Sequence, residues 1–85
     1  MHPIYETSYL GSKISVYPLR VVVSIFGLGE QTIPIAQIAS IDLAMMGLMK
    51  ITIETTGGKK YEIPCWKKKE VRDAIYRAQE NLSAK

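Results

Sequence analysis

Lys50-Ile51-Thr52-Ile53-Glu54-Thr55, then Thr56-Gly57-Gly58-Lys59, then Lys60-Tyr61-Glu62-Ile63-Pro64, is the stretch on which the fold of this chain turns. Apolar and polar residues alternate with period two in the first run, the spacing of a strand with one buried face. Gly57-Gly58 permits the positive φ angles of a tight hairpin turn, so Lys60 to Pro64 is expected to pair back against Lys50 to Thr55.

Upstream, the same grammar repeats. Lys13 to Tyr17 sets Ile14 and Val16 on one face, and Pro18-Leu19 turns the chain. Arg20 to Phe26 holds three consecutive valines, with Val21, Val23 and Ile25 on one side, and a β-branched run of this kind favours a strand. Gly27-Leu28-Gly29 reverses the chain again. Glu30 to Ile35 points Ile33 and Ile35 one way; Pro34 cannot donate to a ladder and marks this strand as an edge or a bend. Ile38 to Met45 is expected to be a strand with Ile41, Leu43 and Met45 inward and Ser40, Asp42 and Ala44 outward. A helix over Ala36 to Met46 competes, since Ala, Leu and Met favour helices. Ile4 to Leu10, before a turn at Gly11-Ser12, is a candidate seventh strand.

Downstream the period changes. Val71, Ala74, Ile75, Ala78 and Leu82 form one stripe of a helix over about Lys67 to Ser83. Short strands at regular spacing followed by one amphipathic helix predict a mainly β domain over 1–85: a bent antiparallel sheet or partly open barrel of six or seven strands, capped by the helix.

Composition sets bounds on this. The 85 residues are 47% hydrophobic and 22% charged, a globular profile for one small domain in which most apolar side chains must be buried. No run approaches the roughly 18–20 apolar residues of a membrane span, and the N-terminus lacks the layout of a secretory signal. A single Cys65 cannot form an internal disulfide, which suits a reducing compartment; a cytoplasmic location is the expectation. The net charge of +3 is too mild to imply nucleic acid.

The strings Ile14-Ser15-Val16-Tyr17-Pro18 with Arg20-Val21-Val22-Val23, Gln31-Thr32-Ile33-Pro34-Ile35-Ala36-Gln37-Ile38-Ala39-Ser40-Ile41 and Ile51-Thr52-Ile53-Glu54-Thr55-Thr56-Gly57-Gly58-Lys59 resemble those of bacterial pleckstrin-homology-like domains. The resemblance spans roughly residues 13–82 and implies a strongly bent antiparallel sheet closed at one end by the terminal helix. Inositide-binding members place a basic cluster around the first strand turn. Here that region offers only Lys13 and Arg20, so the phosphate clamp is missing.

Chemistry is sparse. The one histidine, His2, sits near a chain end, and Cys65 has no histidine partner, so neither a nucleophile–base pair nor a metal ligand set can be assembled. No enzyme activity, cofactor or small-molecule substrate is expected. Two surfaces stand out instead. Ala44-Met45-Met46-Gly47-Leu48-Met49 carries adaptable apolar side chains where a connection usually carries Asn, Asp, Ser or Gly. Met45, Met46, Leu48 and Met49, with Tyr76 on the polar face of the helix, are candidate protein contacts; the same methionines could instead plug the sheet. Lys59, Lys60, Lys67, Lys68 and Lys69 are candidate anion contacts, with Trp66 alongside either at a membrane interface or packed under the helix. The leading expectation is a non-catalytic interaction module acting through a protein partner or self-association. The alternative is attachment to an anionic surface, lipid or nucleic acid, through the lysines.

Overall fold

The computed structural model describes residues 2–27, 29–43 and 49–83. Among the described residues there are seven strands: β1 (Tyr5–Tyr9), β2 (Ser12–Val16), β3 (Arg20–Ile25), β4 (Gly29–Pro34), β5 (Ile38–Asp42), β6 (Lys50–Thr55) and β7 (Lys60–Pro64). One helix, α1 (Lys68–Ser83), follows them. The strands form two antiparallel meanders, β1-β2-β3-β4 and β5-β6-β7, without a closed barrel. This is consistent with the bent, helix-capped sheet expected from the sequence. The candidate seventh strand exists, as β1. The competing helix does not: a single 3₁₀ turn, Ile35–Gln37, leads straight into β5. Of the strand expected to reach Met45, Ala44 and Met45 lie outside the described residues.

The break between the sheets falls where Pro34 ends β4. Proline supplies no amide hydrogen, so the ladder cannot continue through it. The 3₁₀ turn beyond it is hydrogen-bonded on both sides. The Ile35 amide donates to the Leu19 carbonyl between β2 and β3 at 3.0 Å, and the Thr56 amide donates to the Gln37 carbonyl at 2.8 Å. One short strap thereby fixes how the two sheets meet.

Between them lies an interior of isoleucine and valine. Ile14, Val16, Val21, Val23 and Ile33 come from the first sheet, and Ile38, Ile51, Ile53 and Ile63 from the second. Val71, Ala74, Ile75 and Ala78 come from α1, following the helical stripe read in the sequence, with Leu82 partly buried beside them. The Gln79 side chain also donates to the Ile38 carbonyl at 3.0 Å, tying the helix to β5.

Two turns have specific backbone demands. In the β6–β7 hairpin only Gly58 takes a positive φ, +87°. Its amide donates to the Thr55 carbonyl at 3.0 Å while the Thr55 amide donates to the Lys59 carbonyl at 2.9 Å, a type I turn closed by a glycine bulge. The β1–β2 hairpin is tighter. Leu10 and Gly11 are its two central residues, at φ +47° and +84°. Such a turn favours Asn-Gly, because left-handed backbone costs a side-chain-bearing residue roughly 1–2 kcal/mol.

Ile53 is fully buried near the centre of the interior. Ile53→Ala is expected to lose about 2–5 kcal/mol in urea unfolding, whereas Thr56→Ala in the exposed turn should stay within about 0.5 kcal/mol.

Candidate functional site

Apolar side chains left outside the interior define the candidate surfaces; Ile4, Leu19 and Tyr76 are exposed singly, and the others lie in two places. The first is the far end of the four-stranded sheet. Two of the three turns of an antiparallel meander share an end, so the β1–β2 and β3–β4 turns are neighbours. Leu10 is 80% exposed and Phe26 is 85% exposed. Phe26 lies against Gly11, the residue after Leu10: a Cβ there would stand 3.1 Å from the Phe26 Cβ.

The second surface is the end of the three-stranded sheet where the chain enters α1. The Cys65 amide donates to the Met49 carbonyl at 2.9 Å, which sets Met49 beside Trp66. Both side chains are about half exposed. Trp66 is not packed under the helix; its ring carries the Lys67 Nζ 5.0 Å from its centre, a cation–π contact with a half-buried lysine. The helix begins immediately after, with the Val71 amide donating to the Lys67 carbonyl at 3.1 Å. Lys68 and Lys69 oppose the helix dipole at this end, and Glu70 offsets them in the first turn. Met45, Met46 and Leu48, the other candidate contacts here, lie outside the described residues.

The remaining candidates stand apart. Lys59 and Lys60 sit at the hairpin end of β7 and Lys67 to Lys69 beyond its other end. Five extended residues at about 3.3 Å each separate them. Lys59 caps the Tyr61 ring instead, with Nζ 5.0 Å from its centre. Tyr76 lies two turns into α1, 41% exposed, over a shallow depression of about 570 Å³ that it lines with Gln79, Glu80 and Ser83. It is remote from Met49, since eight residues of helix from Lys68 span about 12 Å.

Ion pairs decorate the strand faces. The buried Ser15 hydroxyl donates to Glu6 Oε2 at 2.7 Å, and Lys13 Nζ stands 3.3 Å from the same oxygen. These contacts, the Ser15 hydrogen bond first, hold the Glu6 carboxyl below its usual range. The Lys50 ammonium donates to Glu62 at 2.8 Å, lowering the Glu62 pKa and raising its own. Cys65 is buried, and burial pushes its thiol pKa up, the opposite of an activated nucleophile. Among the described residues no three His, Cys, Asp or Glu side chains are grouped as a metal site, and no helix is long and apolar enough to cross a membrane.

Sequence reasoning missed the Leu10–Phe26 tip. The available signal was Tyr9-Leu10-Gly11-Ser12, where leucine occupies a slot that tight hairpins give to asparagine. Neither protein-family models nor curated proteins show any match to this chain.

A carboxyl whose folded-state pKa is depressed contributes stability that is present above the unfolded value, about 4.3, and lost as pH falls through the folded value. Glu6 and Glu62 are both of this kind. Thermal unfolding followed by circular dichroism should therefore decline from about pH 5 to about pH 3, and the decline should be shallower in the Glu6→Gln, Glu62→Gln double variant.

Proposed function

We propose that this chain is a non-catalytic interaction module of pleckstrin-homology-like architecture, acting through contacts with protein, its own copies included. The observation that carries the reading is the Leu10–Phe26 tip. Two large apolar side chains, 80% and 85% exposed, sit on neighbouring turns at one end of the four-stranded sheet. Single exposed apolar residues are ordinary on a protein surface; two on adjacent turns support a contact site there. The buried, unactivated Cys65 fits a reducing, cytoplasmic setting.

Phe26→Ser tests this directly. Little of the ring is buried within the chain, so its loss should leave the melting temperature within a few degrees, roughly the scale of a surface substitution. Association, measured by light scattering, should weaken, and in the parent chain it should persist in about 1 M salt because apolar contact is not screened. A destabilised variant with unchanged association would refute the reading.

A second reading has its own observation. Trp66, half exposed and carrying Lys67 on its face beside Met49, with Lys69 exposed nearby, has the amphipathic make-up of a group that settles at a charged bilayer interface. Trp66 is the sole tryptophan, so its emission reports the contact without labelling. A blue shift on phosphatidylserine vesicles at low salt, reversed at about 0.5 M salt and absent with neutral phosphatidylcholine, is the expected outcome. An unshifted spectrum at low ionic strength would end this reading.

A further inference from the structure

We draw no further inference here: the strongest candidate, the groove between the C-terminal half of α1 and the 3₁₀ turn lined by Ile35, Ala36, Gln79, Leu82 and Ser83, carries nothing because nothing in the structure shows what covers it.

Discussion

The constraint on which the molecule depends is a single buried interior built almost wholly from β-branched aliphatic side chains. Eight isoleucines and four valines, with two alanines and Cys65, make up the buried set. Side chains branched at Cβ have few rotamers and stand firmly on a pleated surface. Such a core suits two sheets and a helix that must lock together in a small domain, where little other burial is on hand to offset chain entropy. The rings stand at its margin or beyond: Tyr5 and Tyr61 pack against it partly buried, while Phe26 and Trp66 are on the outside.

That partition explains why the fold was largely legible in the sequence. Ile14/Val16, Val21/Val23, Ile51/Ile53 and the stripe through Val71, Ala74, Ile75 and Ala78 are all buried where periodicity placed them. The boundaries of β6 and β7 fall on the residues expected. Ile25, Ile41 and Leu43, also expected inward, are only partly buried: Ile25 ends β3, Ile41 is the penultimate residue of β5 and Leu43 lies just beyond it. The division into two sheets was less legible. Pro34 announced an edge or a bend, but the strap at Ile35–Gln37 is held by carbonyls and amides of Leu19 and Thr56, remote in sequence and invisible to local pattern.

The candidate surfaces were read less well, for a related reason. Burial leaves a periodic trace; exposure of one apolar residue does not. Met49 is about half exposed, which goes with the contact alternative rather than the plug, and the five lysines expected as one anion contact are divided by the length of β7. Trp66, which could have been stapled beneath the helix, carries Lys67 in the open. The Leu10–Phe26 tip depends on two turns being neighbours, and that follows from the meander order rather than from either segment alone.

A sheet domain that stops short of a closed barrel must deal with its edges, and here the means differ from strand to strand. Proline ends one, a side-chain amide from the helix occupies another, and charge with proline guards a third. Each device prevents pairing at small expense, because it needs one residue in the right place. At the start of β1 the Ile4 amide donates to the same Val16 carbonyl that Tyr5 faces, a bulge beside which Glu70, Asp73, Ala74 and Arg77 of α1 lie. At its other end the β1–β2 turn holds an exposed leucine in a left-handed backbone that glycine or asparagine would relieve. Apolar exposure and local strain are two separate departures from what folding alone favours, and both fall on that one turn residue.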